Sequence, residues 1–367
     1  MTRPRAREAG IWFGELPTGP RNMITDVPGV AVGHSTIIKG RGKLVPGSGP
    51  VRTGVTAILP HKDNIYEQSV PGAFFDMNGC GGLIGSLQIR EFGLIETPIM
   101  LTNTMSMGAV AEGTIRQMLR SNPSVGVDGE TIIPIVAECD DSYLNDSRGL
   151  HVREEHVFEA IEKAGPVVGE GAVGAGTGMS CYDFKGGIGT SSRLVSMDNG
   201  DKYHLGTLVL TNHGSKEELR IDGVPVGLLL GQPGINRPEQ GSIVMVVGTD
   251  APVNSRQLER LARRAIMGLA VTGSCSHNGS GDIALAFSTA NVHDKSKHEV
   301  LLTDRLLADR ELNPLFRATI DSVSESITNS LFKAETMEGR DEHIVPALPI
   351  DETLEIVARH GRLVRGR

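Results

Sequence analysis

The chain has few cysteines and no obvious device for stapling a small fold together. Cys80, Cys139, Cys181 and Cys275 are its only four in 367 residues, and no two form a Cys-x-x-Cys pair. That spacing excludes a dense disulfide frame or a zinc knuckle and predicts buried free thiols in a reducing compartment. Aromatic residues are only 4%, with one tryptophan. No stretch approaches the roughly 18 apolar residues of a membrane span. The N-terminal "MTRPRAREAGIWFGELPTG" has positive charge but no apolar core of signal-peptide length. Excess positive charge is missing too: the formal net charge is −8, which argues against a protein-wide nucleic-acid surface. The expectation is a cytoplasmic protein without membrane or nucleic-acid partners.

Glycine, by contrast, is abundant at 46 residues, and it punctuates short apolar runs. "GVAVGHSTII" (29–38), "GVTAIL" (54–59), "TIIPIVAE" (131–138), "GTLVLTN" (206–212), "SIVMVVGTDA" (242–251) and "DIALAF" (282–287) are bounded by Gly, Pro, Asn and Asp, as strands are. Several are apolar on consecutive residues, which predicts strands buried on both faces. Helical periodicity lies between them. Leu258, Leu261, Ala262, Ala265, Ile266 and Leu269 line one face of a predicted helix in "SRQLERLARRAIMGLA". "EEHVFEAIEKAG" (154–165) reads as a short surface helix closed by Gly165. "NPLFRATIDSVSESITNSLFKA" (313–334) reads as a long one with Pro314 near its start. Strands and helices mixed throughout, with "GRGKLVPGSGP" (40–50) a loop and not a boundary, favour one layered α/β domain over 1–367.

The long C-terminal helix carries a second pattern. Ser322, Glu325, Ser326 and Asn329 fall at i, i+3, i+4 and i+7, a polar stripe apart from the apolar face. A solvated face is the ordinary reading of such a stripe. This one lacks Lys and Arg and is rich in short hydroxyl side chains, which suits a closely packed polar site.

Other motifs fall away on inspection. "GEGAVG" (169–174) matches GxGxxG, but the following "GAGTGMSCYDFKGGIGTSS" is too glycine-rich for the helix that a dinucleotide site needs. His151 and His156 in "HVREEH" lie five apart, off a common helical face. Cys275 and His277 could make two metal ligands, but the sequence shows no partner pair. No metal and no cofactor is expected.

"SHNGSGD" (276–282) places Ser280 between two glycines just before an apolar run. An Asn-Gly turn accounts for it without any chemistry. It lacks the GxSxG elbow, because Asn278 holds the first glycine position. The chemical reading is self-processing. Ser280 attacks the carbonyl of Gly279, and hydrolysis of the resulting ester leaves Ser280 with a hydroxyl and a free α-amine. Such an amine, of pKa about 7.7–8.0, can serve as its own general base.

The surroundings of Ser280 favour the second reading. "GTDAPVNSRQLERLARRAIMGLAVTGSCSHNGSGDIALAFSTAN" (248–291) closely resembles the processing region of the DmpA-like aminopeptidases, the self-cleaving L-aminopeptidase/D-esterases and β-peptidyl aminopeptidases. "MITDVPGVAVGHST" (23–36), "PIMLTNTMSMGAV" (98–110), "AECDDSYLND" (137–146), "GAGTGMSCYDFKGGIGTSSR" (174–193) and "DGVPVG" (222–227) also resemble blocks of that family, in the family's order.

The resemblance implies an αββα sandwich of the N-terminal-nucleophile type, cut into chains 1–279 and 280–367 that stay associated, in the family often as a homotetramer of cleaved pairs. It implies a hydrolase acting on small peptides, amides or esters with a free amine, through an acyl-enzyme and without a cofactor. The nucleophile falls on Ser280, the cleavage site on Gly279–Ser280, and the oxyanion-stabilising roles on Asn212 and Tyr143. A hydroxyl and an acid holding the nucleophile's amine fall on the C-terminal helix. Glu325 matches the acid, Val323 stands where the hydroxyl is expected, and Ser322 and Ser324 flank it. On that assignment Glu325→Gln slows turnover.

Many family members carry "NGxGE" where this chain has "NGCGG", so Gly82 stands in place of an acid. Glu138 and Asp141 are then the remaining carboxylates for a substrate ammonium, either of which could instead be structural. An acyltransferase of the ornithine acetyltransferase type and an unprocessed, non-catalytic relative are the alternatives.

Overall fold

Burial along one strand fixes the layering. Every residue of Gly241–Thr249 after the first is buried, as its unbroken apolar run predicts. Successive side chains on a strand point to opposite faces. Ile243, Met245 and Val247 enter one core, while Val244 and Val246 enter another. This strand therefore lies between two apolar layers. The computed structural model describes residues 3–128, 130–231, 233–235, 241–297 and 303–363, and within them the same logic holds across two sheets.

The smaller sheet runs in the order Ala31–Lys39, Val51–Leu59, Ile99–Asn103, Ile135–Cys139 and Leu83–Ile84. The larger runs Ile188–Ser196, Lys202–Asn212, Gly241–Thr249, Ser280–Ser288, Gln68–Gly79 and His293–Asp294, with Leu94–Ile95 also paired to Gln68–Gly79. One core joins the two sheets face to face. A second lies between the larger sheet and the helices Ser255–Val271 and Asn313–Lys333. A third lies between the smaller sheet and the helices Met107–Ser121 and Glu154–Glu162. Four layers result, helix–sheet–sheet–helix, as the αββα expectation requires.

Two expectations drawn from the sequence change. The expected strand 131–138 begins only at Ile135, after Pro134, because proline cannot donate into a ladder. Two of the four free thiols, Cys80 and Cys275, are exposed, so the expectation of four buried thiols is corrected. The helix Ser255–Val271 follows its predicted span. Asn254 caps it by accepting a hydrogen bond from the Gln257 N–H at 3.0 Å, and Gln257 Oε1 accepts from Asn254 N–H in return.

The polar stripe of Asn313–Lys333 is not solvated. It is a buried seam against the edge strand Ile188–Ser196 and its neighbour Lys202–Asn212 in the larger sheet. Ser322 Oγ lies 2.7 Å from Ser191 Oγ and 2.9 Å from Thr207 Oγ1, and Ser326 Oγ lies 2.6 Å from Thr207 Oγ1. Asn329 accepts from the Ala6 N–H and donates to the Thr190 carbonyl, both at 3.0 Å. Short side chains let the helix backbone approach closely: a Cβ at Gly189 would sit 1.9 Å from the Ser326 carbonyl oxygen. Glu325, fully buried, is held by Arg7 at 2.9 Å and Arg193 at 2.7 Å, and it accepts from the Asn22 amide.

Candidate active site

The larger sheet brings several strand ends together at one edge. Ser280 pairs with Gly241, Asn212 with Ser242, and Gly281 with Gly79. Glu138 arrives from the smaller sheet, near the end of Ile135–Cys139. A cavity of about 910 Å³ opens between them, and its wall includes Glu138, Asn212, Tyr143, Gly279, Met107 and Gly82.

Ser280 sits immediately after the turn that its sequence advertises. Its N–H donates to the His277 carbonyl at 2.8 Å, which closes a four-residue turn with Asn278–Gly279 at the centre. Asn78 grips the same loop, its amide donating to the carbonyls of Ser276 and His277 at 2.9 and 2.7 Å. The Ser280 hydroxyl donates to Asp282 Oδ1 at 2.6 Å, and Asp282 Oδ2 is buried with no hydrogen-bond partner. Asp282 is a residue that the sequence reading passed over. Positions i and i+2 of a strand share a face, so "SGD" already placed its carboxylate beside the hydroxyl. The cavity wall is made by Gly279; Ser280 is only 3% exposed.

Asn212 is oriented on both sides. Its Oδ1 accepts from the Ser180 N–H at 3.1 Å, and its Nδ2 donates to the Asp140 carbonyl at 2.7 Å. An amide nitrogen has two hydrogens, so one remains to meet an oxyanion in the cavity. Tyr143 stacks on His343, ring centres 4.5 Å apart, while His343 Nδ1 donates to the Tyr143 carbonyl at 2.8 Å.

The two acids separate clearly. Glu138 faces the cavity, with Oε1 accepting from the Gly82 N–H at 2.7 Å and Oε2 from the Thr104 hydroxyl. Burial pushes its carboxyl above the ordinary value, with those two hydrogen bonds acting in the opposite direction. Asp141 is 1% exposed and lies outside the cavity wall, accepting from the Asn145 amide at 2.9 Å. Burial pushes it up to about 7. At position 82, where the resemblance anticipated an acid, a Cβ would lie 2.6 Å from Met107 Sδ. Methionine occupies the room a side chain would need there.

The helix residues do not reach Ser280. Glu325 bonds only to groups at and beside the edge strand Ile188–Ser196, three strand spacings from Ser280–Ser288, about 14 Å across the sheet. Ser322 bonds to Ser191 and Thr207, at least two spacings away. Ser324 donates to the Asp321 carbonyl at 3.1 Å and lines a separate small cavity with Trp12 and Thr272. In this arrangement the hydrogen bonds of Ser322, Ser324 and Glu325 run to their own helix, the strands beside it and the N-terminal segment.

Comparison with known proteins agrees with the geometry. Residues 22–345 match peptidase family S58. The β-peptidyl aminopeptidase BapA of Sphingosinicella microcystinivorans is 39% identical over 381 residues, covering 99% of this chain and 94% of that protein. The PH0078 protein of Pyrococcus horikoshii superposes with a TM-score of 0.94 at 54% identity, covering 98% of this chain and all of that one. The L-aminopeptidase D-Ala-esterase/amidase of Ochrobactrum anthropi, described as a variant of the Ntn hydrolase fold, superposes with a TM-score of 0.92 at 38% identity over 99% of this chain and 100% of its own. Two sheets between two helical layers, and a serine opening an interior strand at the cavity's edge, thus belong to a fold of known peptidases, and the chain is a member of peptidase family S58.

Proposed function

We propose that the protein cuts itself between Gly279 and Ser280 and then works as an N-terminal-serine aminopeptidase on small peptides, amides or esters with a free amine. The observation that carries this is the single cavity shared by the scissile Gly279, the amide of Asn212 and the carboxylate of Glu138.

In the first reaction Ser280 Oγ attacks the Gly279 carbonyl carbon while Asp282 takes the hydroxyl proton. The C–N bond breaks, the proton passes to the departing nitrogen, and an ester joins Gly279 to Ser280 Oγ. Water then cleaves the ester to the Gly279 carboxylate and the free Ser280 hydroxyl. In turnover the new α-amine accepts the hydroxyl proton as Oγ attacks the substrate carbonyl. Asn212 Nδ2 donates to the oxyanion, with Tyr143 in the wall beside it. The amine's proton goes to the leaving nitrogen, and water releases the acyl group as an acid. Glu138 pairs with the substrate ammonium, a charge-assisted contact that selects for a free amine.

The two-chain division 1–279 and 280–367 is part of this proposal. Cytoplasmic location, which rests on the widely spaced cysteines, and assembly as a homotetramer, which rests on the family resemblance, are further parts. Among the described residues no helix is long and apolar enough to cross a membrane.

The test is an intact-mass spectrum with N-terminal sequencing, of the wild type and of Ser280→Ala. A fragment beginning at Ser280, absent from an inactive full-length variant, is the expected result. A single uncut mass in an active wild type would remove the mechanism.

A further inference from the structure

The loop ahead of the scissile bond holds a cluster that the proposed aminopeptidase chemistry does not use. Cys275 Sγ lies 3.6 Å from His277 Nε2 and 3.7 Å from Glu218 Oε1, and His277 Nε2 lies 2.7 Å from Glu218 Oε1. The sequence showed the first two residues as a possible pair of ligands. The fold supplies the third from 57 residues earlier in the chain. All three side chains have access to solvent, Cys275 being exposed and the other two partly so.

We propose that Glu218, Cys275 and His277 form a binding site for a divalent transition metal of the Zn²⁺ class. Bond lengths of about 2.3 Å to sulfur and about 2.0–2.2 Å to nitrogen and oxygen, at tetrahedral angles, put sulfur roughly 3.6 Å from each of the other two donors and those two roughly 3.4 Å apart. The two sulfur distances already match, so only the His277–Glu218 pair must open, by roughly 0.7 Å. A thiolate, an imidazole and a carboxylate are a donor set suited to Zn²⁺ or Co²⁺ and poorly suited to Mg²⁺ or Ca²⁺. Water completes the coordination from the solvent side.

Glu218 can serve without losing its local work. Its Oε2 accepts from the Ser215 N–H at 2.9 Å and the Ser215 hydroxyl at 3.2 Å, while Oε1 alone faces the cluster. Binding exchanges the Cys275 sulfur-bound proton for the cation and releases it to solvent. The site lies on the segment whose His277 carbonyl receives the Ser280 N–H.

The test is Co²⁺ titration of the metal-stripped full-length protein, followed by absorbance, with Zn²⁺ competition read by calorimetry. One equivalent should produce a thiolate-to-cobalt charge-transfer band and the visible bands of tetrahedral cobalt, both bleached by Zn²⁺. Cys275→Ser should lose the charge-transfer band. Glu218→Gln should weaken binding by at least about tenfold, the cost reported for disturbing even an outer-shell partner. No charge-transfer band in the wild type, an undiminished band in Cys275→Ser, or unchanged affinity in Glu218→Gln would each overturn the site. None of these readings depends on peptidase activity, so they fail or succeed independently of the proposed function.

Discussion

Two regions of this molecule carry buried serines, an acid and an asparagine, and they use their hydrogen-bonding capacity differently. Along the helix Asn313–Lys333, the side chains of Ser322, Glu325, Ser326 and Asn329 all end on groups of the neighbouring strands or the N-terminal segment. Around the cavity, polar groups are positioned yet incompletely used: one N–H of Asn212, the second oxygen of Asp282, and a Glu138 carboxylate open to a cation. Side chains that bond to one another across the contact fix a helix on a sheet. A site needs hydrogen-bonding capacity left over for a ligand, together with room to admit it. Residue type alone does not tell the two apart.

Substitutions can break or sharpen this contrast. The largest effect on the fold is expected from Glu325→Gln. It leaves Arg7 and the fully buried Arg193 without their shared counter-charge and should cost about 3–5 kcal/mol of stability, read as a lower urea midpoint. Turnover per folded molecule should stay near wild type, the reverse of what the sequence resemblance implied. A slowed turnover with unchanged stability would return Glu325 to the active site.

Asn212→Ala comes next, with kcat expected to fall by about 10²–10³ in a protein that still cuts itself fully enough to be assayed. Initial rates on an aminoacyl amide, normalised to the amount of free small chain, check it. An unchanged kcat would remove the oxyanion role.

Glu138→Gln is smaller. Losing a charge-assisted hydrogen bond of about 1.5–3 kcal/mol should lower kcat/KM for amine-bearing substrates by roughly 10- to 100-fold, and by less for N-acylated ones. Its pH signature is sharper still. The carboxylate must be charged to hold an ammonium, and burial raises its pKa. Wild-type kcat/KM should therefore fall as pH drops through a value above the ordinary glutamate range, and the Gln variant should lack that limb. The Gly82–Met107 contact offers the finest adjustment. Met107→Ala, which clears the room beside Glu138, should change the preferred acyl group with little change in the best kcat, as a substrate panel would show.

Legibility in the sequence followed the range of the interaction. The strand Gly241–Thr249 and the helix Ser255–Val271 were visible because period and burial are local properties. The turn at Asn278–Gly279 was visible for the same reason. Asp282 was equally local, two residues from Ser280, and could have been read from strand alternation. The strand Gln68–Gly79 was missed because Pro71 and Gly72 interrupt its pattern. What could not be read were partners separated by long stretches of chain: Arg7 for Glu325, 318 residues apart, and Glu218 for His277, 59 apart. The family resemblance named residue types and blocks. It could not say that the helix acid had already been claimed by two arginines.

The strand Ser280–Ser288 lies inside the larger sheet, between Gly241–Thr249 and Gln68–Gly79, and the N-terminal segment is tied to the C-terminal helix through Arg3, Ala6 and Arg7. Under the proposed cut between Gly279 and Ser280, that strand and helix would belong to a different molecule from everything they touch on the other side. Unfolding then becomes dissociation. The melting temperature of the processed protein should rise with its concentration, whereas that of Ser280→Ala should not, and recovery after denaturation should become a second-order encounter between two fragments that were made as one.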